Sequence, residues 1–358
     1  MPTDDQIKEI RDRINRIDEQ LLDLISQRAR FAAEIGTIKK KHRLQPYAAN
    51  REKIILTRLE ELNSGPLSNE DIHTVFREII AACLSLEKPL RIAYLGPEAT
   101  FTHQAALSQF GQSPQFIQIP TIDGIFGEVE KKRCDYGVVP IENSSEGSVY
   151  RTLDMFIETP LQICAEIALE ISLFLLSAAD KIEDIKEIHS HPQALAQCSR
   201  WLANNLPDVP IHAASSTAIA AQKASQNPAA AAIASKVAAR IYNLNILKEK
   251  IEDYPHNFTR FWVIGHKSPD RSGFDKTSFM FSIKDEAGAL YEVLRPFSKH
   301  SINMTKIESR PAKGKPWEYF FFADVEGHFS DPNLREALQD MQGMVNFIKV
   351  IGSYPRSV

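Results

Sequence analysis

The chain has 358 residues, of which 43% are hydrophobic and 25% charged, and its formal net charge is -4. This composition predicts an ordinary soluble protein with two or three domains. The weakly acidic balance argues against nucleic-acid binding, because no long stretch concentrates lysine and arginine.

The four cysteines are widely spaced and match neither a zinc pattern nor a disulfide framework. We therefore expect buried, reduced thiols. The N-terminus is polar and lacks the apolar core of a signal peptide, and no apolar run approaches the length of a membrane span. A cytoplasmic location is the expectation that follows.

Three helices are predicted before the first strand. Apolar residues recur every three or four positions from Asp5 to about Lys41, and further helical stretches run from Ala49 to Asn63 and from Ser68 to Glu87. The first helix is about three times the average length, so it is stable only alongside other long helices. We predict an all-α domain over residues 1–88 that forms an intertwined dimer.

Two cations interrupt the apolar face of the first helix. Arg28 and Lys39 are eleven positions apart, which brings their side chains within about 20° of one direction. Few carboxylates are expected to face them, so a bound dianion is favoured over a salt bridge. Arg11 lies about 25 Å from Arg28 along the helix, so it cannot serve the same site from the same helix but could serve a partner's site.

The middle zone, residues 90–267, alternates strands and helices and predicts an α/β domain. The predicted buried strands are Arg91–Leu95, Tyr136–Pro140, Ile171–Leu176 and Ala231–Ala234. Small polar residues follow these strands and start helices, which directs backbone N–H groups to the carboxyl edge of the sheet and favours anion binding. The sequence has neither a Walker loop nor a dinucleotide fingerprint, so no nucleotide cofactor is expected.

A polar run, Asn257-Phe258-Thr259-Arg260-Phe261, precedes the apolar end of this zone. It offers an amide, a hydroxyl and a guanidinium to one small anion. The alternative is a strand end whose polar groups lie on the surface.

The tail, residues 276–358, has the predicted order βαββαβ, which is typical of a ferredoxin-like sandwich. Its strands are predicted at Ser278–Ile283, Met304–Arg310, Glu318–Val325 and Asn346–Ile351. Lys267 to Lys276 is rich in serine, proline, glycine and charge, and is the predicted linker.

Taken in order, these motifs resemble the bifunctional chorismate mutase/prephenate dehydratases. The run from Gly96 to Thr102 is similar to the family's Gly-Pro-x-Gly-Thr-Phe-Ser element, and the run around Thr259 to its Asn-x-Thr-Arg-Phe signature. Pro140–Ser144, Ser190–Gln193 and Ser215–Ala218 also match family elements. Each alone would be an ordinary helix cap or turn.

The resemblance implies a multidomain fold: a helical mutase, a two-lobed α/β dehydratase like the periplasmic binding proteins, and a C-terminal ACT regulatory domain. It implies rearrangement of chorismate to prephenate, conversion of prephenate to phenylpyruvate, and feedback inhibition by phenylalanine. No metal or other cofactor is implied, and the assembly is a homodimer or larger. Two alternatives remain open: an arogenate-preferring dehydratase, and a non-catalytic protein that senses small acids or amino acids.

For the mutase, the resemblance assigns a set of substrate-binding residues. Arg28, Lys39 and Arg51 belong to one subunit's pocket and Arg11 to the other's, while Glu52 binds the substrate hydroxyl. Cys83 stands where a serine is common. Lys39 and Glu87 are the catalytic candidates, and Glu87 replaces a glutamine that often donates to the ether oxygen.

For the dehydratase, Thr259 is the predicted donor to the departing hydroxyl. The predicted polar lining consists of Thr100, Glu142, Asn143, Ser144, Ser190, Gln197, Ser216, Thr217 and Asn257. The role of Arg260 stays open between structural pairing and substrate-carboxylate binding. Ser215 replaces a carboxylate seen in some relatives, so the general acid is also open.

For the ACT domain, the resemblance implies a phenylalanine site between paired domains. Its predicted residues are Gly288, Ala289, Leu290, Glu308, Ser309, Arg310 and Pro311. Glycine permits close backbone approach there, and backbone amides with Glu308 could hold a zwitterion. The alternative is a tight strand–helix junction and a turn with a surface ion pair.

Overall fold

The structure is a computed structural model. It describes residues 4–42, 47–145, 147–255, 257–311 and 319–357. The chain divides into two compact units, which are taken separately below. The first comprises Met1–Leu90 with Phe110–Gln115, and the second Arg91–Gln109 with Phe116–Val358.

The first unit is built on three helices, as predicted: α1 (Asp4–Lys41), α2 (Ala49–Leu62) and α3 (Asn69–Glu87). α1 and α2 both pack against α3. α3 begins at a capping box, in which Ser68 accepts from the Asp71 backbone N–H and the Asp71 carboxylate accepts from that of Ser68.

The long helix α1 has no buried residue, although it is 38 residues long. Its apolar stripe remains exposed at Ile7, Ile10, Ile14, Ile17, Leu21, Leu24 and Ile35. A stripe of this kind normally faces a core. Within one copy of the chain, most of this face is therefore left uncovered.

The second unit contains a two-lobed domain. The first lobe runs through β1 (Arg91–Leu95), α4 (Phe101–Phe110), β2 (Gln115–Ile119), α5 (Ile122–Glu130), β3 (Tyr136–Asn143), β4 (Gly147–Ser148), α6 (Tyr150–Glu158) and β5 (Gln162–Glu170). The second lobe runs through β6 (Phe174–Ser177), a 3-10 turn (Ile182–Asp184), β7 (Glu187–Ser190), α7 (Pro192–Gln197), α8 (Ser199–Asn205), β8 (Ile211–Ala213), α9 (Thr217–Gln226), β9 (Ala230–Ala234), α10 (Lys236–Ile241) and β10 (Asn245–Lys248). The next strand, β11 (Phe258–Gly265), returns to the first lobe.

The two sheets have the orders β2-β1-β3-β11-β5, with β4 on β3, and β10-β6-β9-β7-β8. The chain therefore passes from one sheet to the other after β5 and back before β11. β11 is antiparallel to both β3 and β5, so its first residues lie beside the last residues of β3. This places the polar run of β11 at the edge where β3 ends.

One predicted strand is wrong in extent. Ile171–Leu176 was expected as a strand, but Ile171 to Leu173 connect β5 to β6, which begins at Phe174. β5 itself was not predicted, because its alanine and glutamate residues weaken the strand pattern.

The C-terminal domain has the predicted order: β12 (Asp275–Ser282), α11 (Ala289–Lys299), β13 (Met304–Pro311), β14 (Tyr319–Glu326), α12 (Pro332–Gln342) and β15 (Phe347–Pro355). The predicted first residue of the third strand, Glu318, lies outside the described residues. The sheet order is β13-β14-β12-β15, which is the ferredoxin-like arrangement.

The two faces of this last sheet are covered differently. Phe279 and Phe281 pack with Val293 and Phe297 on the helical side. On the other side, a second set joins the core of the first lobe: Met280, Phe322, Ile351 and Tyr354 cluster with Ile163, Trp262 and Ile264. The C-terminal domain and the first lobe thus share one core, and the end of the predicted linker, Asp275 and Lys276, is part of β12.

Candidate functional site

In the helical unit, the structure brings Lys39 and Glu87 together. The Lys39 Nζ atom lies 3.3 Å from Glu87 Oε2, and the Glu87 side chain is 8% exposed. Gly36 makes this possible, because a Cβ there would lie 2.7 Å from the Cβ of Glu87. A carboxylate therefore faces Lys39: the spacing along α1 predicted few such carboxylates, whereas the family resemblance grouped Glu87 with Lys39.

The arginine candidates of the mutase differ in exposure. Arg28 is half-buried on α1, whereas Arg11 and Arg51 are exposed. Within residues 4–42 and 47–145 none of these three arginines forms an ion pair. Cys83 is buried on α3. Three predicted anion-binding cations are thus left unneutralised by the parts of the chain that the structure describes.

Glu52 is buried on α2 and faces a cation that the sequence did not suggest. Arg77 Nε lies 3.6 Å from Glu52 Oε1. Burial raises the pKa of Glu52 from an ordinary 4.5 to about 7, although Arg77 and a hydrogen bond from Tyr47 lower it in part. The group therefore exchanges a proton near neutral pH, and is suited to a hydrogen bond with a hydroxyl.

In the first lobe, the candidate residues of β3 and β11 form a connected group. Thr259 pairs with Asn143 in the ladder, and Asn143 Nδ2 donates to Thr259 Oγ1 over 2.8 Å. The same amide donates to Asn257 Oδ1 over 3.2 Å, which also accepts from Ser144 Oγ over 3.0 Å. Predicted residues more than a hundred positions apart therefore meet because β11 runs antiparallel beside β3.

The orientation of the Asn143 amide is fixed by its oxygen, which accepts from the Ser145 backbone N–H over 2.9 Å. The Thr259 hydroxyl consequently accepts, and its own hydrogen has no acceptor in the described part of the chain. A threonine held in this way has a proton to offer to a bound molecule.

The remaining polar candidates have structural partners. The Ser190 hydroxyl at the end of β7 donates to the Ile233 carbonyl over 2.6 Å, and Ser216 caps α9, whose first residue is Thr217. Thr100 donates to the Leu95 carbonyl and accepts from the His103 backbone N–H. Gln197 ends α7, and its carbonyl accepts from Asp253. The helix-cap alternative therefore describes Thr100 and Ser216 well.

The Arg260 guanidinium contacts three carboxylates. Its Nη1 lies 2.7 Å from Glu142, and its Nη2 lies 2.6 Å from Glu166 and 2.9 Å from Asp324. Burial opposes the charged guanidinium, but Glu166 and Asp324 outweigh it, so the pKa of Arg260 is raised above its ordinary value. Of the two readings left open, structural pairing is the one this geometry favours.

Two lysines complete the ionic cluster. Lys276 of β12 lies 2.8 Å from Glu166, and Lys306 of β13 lies 3.0 Å from Glu142. Burial opposes ionisation of Glu142, but Lys306 and Arg260 outweigh it and lower the pKa of that carboxyl. Sequence reasoning missed four members of this cluster, Glu166, Lys276, Lys306 and Asp324. The available signal was a single charge within an apolar strand, as at Asp324 in Phe-Phe-Phe-Ala-Asp-Val.

The predicted effector residues separate into two groups. Gly288, with a φ of 84°, lines a surface pocket of about 200 Å³ together with Ala289, Leu290, Tyr319 and Phe321. Ser309 pairs with Phe321 in the sheet, so it lies on the strand beside this pocket, and Pro311 ends the same strand.

Glu308 and Arg310 lie elsewhere. The Glu308 carboxylate accepts from Ser148 Oγ over 3.0 Å, and Arg310 forms a two-pronged pair with Asp154 of α6 over 2.9 and 3.1 Å. Both side chains are thus directed at the first lobe, and neither lines the pocket at Gly288.

Across the described residues, no group of histidine, cysteine and carboxylate side chains is arranged to hold a metal ion. The same residues contain no helix with the length and apolar character needed to cross a membrane. All four cysteines are unpaired and buried.

Comparison with known proteins covers the whole chain. Residues 10–88 match the family described as chorismate mutase type II, residues 92–269 that described as prephenate dehydratase, and residues 277–342 that described as ACT domain. The chain is 49% identical over 358 residues to the bifunctional chorismate mutase/prephenate dehydratase of Aquifex aeolicus, with 99% of each chain covered.

Two solved structures share the fold of 75% of the chain. The prephenate dehydratase of Arthrobacter aurescens, in complex with L-Phe, has a TM-score of 0.69 and 34% identity over 75% of this chain and 90% of that chain. A protein titled GqqA, a quorum quenching acylase, has a TM-score of 0.69 and 28% identity over 75% of this chain and 98% of that one. These two proteins have similar folds but names that describe different activities, so the reaction has to be argued from the residues.

Proposed function

The chain belongs to the family of bifunctional chorismate mutase/prephenate dehydratases, and we propose that it converts chorismate to prephenate and prephenate to phenylpyruvate at two separate sites. Identity along the full length supports both activities together. The observation that carries the second activity is the Asn143–Thr259 contact, which leaves the Thr259 hydroxyl hydrogen without an acceptor among the described residues.

The mutase site would accelerate the rearrangement by binding its substrate in the reactive conformation. Chorismate carries two carboxylates, and Arg28 and Arg51 with a partner's Arg11 would hold them in the compact conformation that rearranges. Lys39 would stabilise the negative charge that develops on the breaking ether oxygen. The Lys39–Glu87 contact of 3.3 Å supports a shared role for the two at that oxygen, and Glu52 would bind the substrate hydroxyl.

At the dehydratase site, prephenate loses carbon dioxide and its ring hydroxyl together, and the ring becomes aromatic. The departing oxygen needs a proton or a donor, which Thr259 can supply because its oxygen is occupied by Asn143. Threonine is too weak an acid to lose its proton fully at neutral pH, so Thr259 acts as a hydrogen-bond donor or orients a water. Asn257, Ser144 and the helix starts at Ser216 and Thr100 would hold the polar remainder of the substrate.

Phenylalanine is the proposed effector of the ACT domain. The pocket at Gly288 supports this, because it combines a left-handed glycine at the start of α11 with the aromatic residues Tyr319 and Phe321. Backbone amides suit the carboxylate of an amino acid and the rings suit its side chain. Ser309 belongs to the same proposed site, whereas Glu308 and Arg310 would have to leave their first-lobe partners to join it.

We propose a homodimer or larger assembly and a cytoplasmic location. The exposed apolar stripe of α1 supports the first, because a face of this length is stable in water only when another chain covers it. The four unpaired cysteines support the second, since free thiols are typical of a reducing compartment.

The test is to mix purified protein with chorismate and follow prephenate and phenylpyruvate, with and without phenylalanine. Formation of both products, with the second suppressed by phenylalanine, is expected. A parallel assay with arogenate, which has an amine where prephenate has a ketone, decides the substrate preference. A protein that binds these acids but releases neither product would be the sensor instead.

A further inference from the structure

Two adjacent residues of β11 serve different parts of the molecule. Side chains alternate across a strand, so Thr259 meets Asn143 while Arg260 points to Glu142, Glu166 and Asp324. Asp324 belongs to β14 of the C-terminal domain. Thr259 of the dehydratase site is thus directly followed in the chain by Arg260, whose side chain binds the C-terminal domain through Asp324.

Arg260 has little capacity left for a substrate. Both of its terminal nitrogens already contact carboxylates, and its Nε is buried without a hydrogen-bond partner among the described residues. Arg260, Lys276 and Lys306 balance the three carboxylates Glu142, Glu166 and Asp324 in charge. A substrate carboxylate would add a fourth negative charge to this balanced cluster, or would have to displace one of its members.

Arg260 lies next to Thr259 in the strand ladder, so the contacts of Arg260 affect the position of Thr259. Arg260 pairs with Glu142, and the neighbouring rung pairs Thr259 with Asn143. The register then shifts between Arg260 and Phe261, and a bulge of this kind weakens the regular ladder on that side. The Arg260–Glu142 ion pair therefore helps to fix this end of β11 against β3, beside the hydrogen bond between Asn143 and Thr259.

We propose that Arg260 is a positioning residue that holds Thr259 against Asn143 without touching the substrate, and that Asp324 extends this hold into the C-terminal domain. The proposal rests on the dehydratase activity proposed above. It adds a route by which the C-terminal domain affects the dehydratase site. Asp324 lies three residues after Phe321, which lines the pocket at Gly288, so one strand joins the effector pocket to Arg260.

The test compares four variants of the full-length protein: Arg260→Lys, Asp324→Asn, the double variant, and Asp154→Asn. Arg260→Lys keeps the positive charge but loses the planar guanidinium that contacts carboxylates through two nitrogens. Asp324→Asn keeps the shape of the side chain and removes its negative charge. Asp154→Asn is the matched control, because it breaks the Arg310 pair at the same domain interface without touching the cluster. The readouts are kcat and KM for prephenate, phenylalanine inhibition, mutase turnover and the unfolding midpoint.

We expect Arg260→Lys to lower dehydratase kcat by roughly ten- to a hundredfold with KM within about twofold, since misplacement of a catalytic group costs rate. Asp324→Asn should lower kcat less and weaken phenylalanine inhibition, and the double variant should be no worse than Arg260→Lys alone. Asp154→Asn should match the wild type in dehydratase kcat and KM, and mutase rates should be unchanged in all four variants.

Three outcomes would overturn the proposal. A rise in KM with unchanged kcat in Arg260→Lys would make Arg260 a substrate ligand. Fully additive effects in the double variant would separate Asp324 from Arg260, and equal losses in Asp154→Asn would indicate general loosening of the interface. A wild-type protein without any dehydratase activity would instead refute the proposed function, so the two failures are distinguishable.

Discussion

The helical site and the dehydratase site differ in how much of each a single chain completes. In the helical unit, Arg11, Arg28 and Arg51 have no ion-pair partner among the described residues, and the apolar stripe of α1 is exposed. In the first lobe, Asn143, Asn257 and Thr259 already hold one another. We propose that a second chain closes the first arrangement, and that the C-terminal domain braces the second.

The largest effect expected from this comparison is on Thr259. Thr259→Ala removes the hydroxyl that Asn143 holds and should lower prephenate turnover by at least about a hundredfold, the usual cost of losing one preorganised donor. Thr259→Ser keeps the hydroxyl and is the matched control. Chorismate should still yield prephenate in both variants at the wild-type rate. Loss of mutase turnover in a folded Thr259→Ala protein would contradict the separation of the sites.

The incomplete helical site predicts complementation between chains. Arg11→Ala and Arg28→Ala should each abolish mutase turnover, and an equal mixture should recover about a quarter of the wild-type rate, because half the dimers are mixed and each has one intact site. Mixing either variant with itself is the control. A verified mixed dimer without activity would mean that Arg11 does not serve the partner's site.

The same two regions differ in how much of their structure could be predicted from the sequence. The bounds of α1, α2 and α3 follow from local spacing and caps, and so they were predicted to within about two residues. The meeting of Asn143 with Thr259 was suggested by polar strand ends, but its register depends on a crossover between two lobes. The partners of Arg260 come from β3, β5 and β14, and no local pattern specifies which carboxylate lies opposite an arginine. Glu308 illustrates the same limit, since a family motif indicated an effector site while the fold directs its side chain to Ser148.

A smaller effect is expected from the buried carboxyl of the helical unit. Its folded pKa of about 7 exceeds the ordinary 4.5, so the folded state binds the proton more tightly than the unfolded state. Stability should therefore fall as pH rises from about 4.5 to about 7 and stay constant above. The full penalty is about 3 kcal/mol at most.

Glu52→Gln removes this titration, and the unfolding free energy of the helical unit should lose its slope across that range. Arg77→Gln, which keeps Glu52, is the control and should retain or steepen the slope. The measurement is denaturant unfolding at fixed protein concentration from about pH 4 to 8, a range that brackets the two pKa values. Parallel slopes for wild type and Glu52→Gln would show that the carboxyl does not control stability.

The last prediction concerns hydrogen-bond donation from position 87. An ionised carboxylate only accepts hydrogen bonds, so it has nothing to donate to an ether oxygen that gains negative charge. Lys39, 3.3 Å from Glu87, would then be the donor at that oxygen. Glu87→Gln carries an amide that always has a hydrogen to donate, and it should raise mutase turnover.

The informative quantity is the ratio of mutase kcat in Glu87→Gln to that in wild type at one fixed pH. We expect this ratio to exceed about ten, within the usual range for a proton donor. Dehydratase turnover should be the same in both proteins, because that site does not use Glu87. Equal mutase turnover in the two proteins would leave Lys39 as the donor that stabilises the ether oxygen.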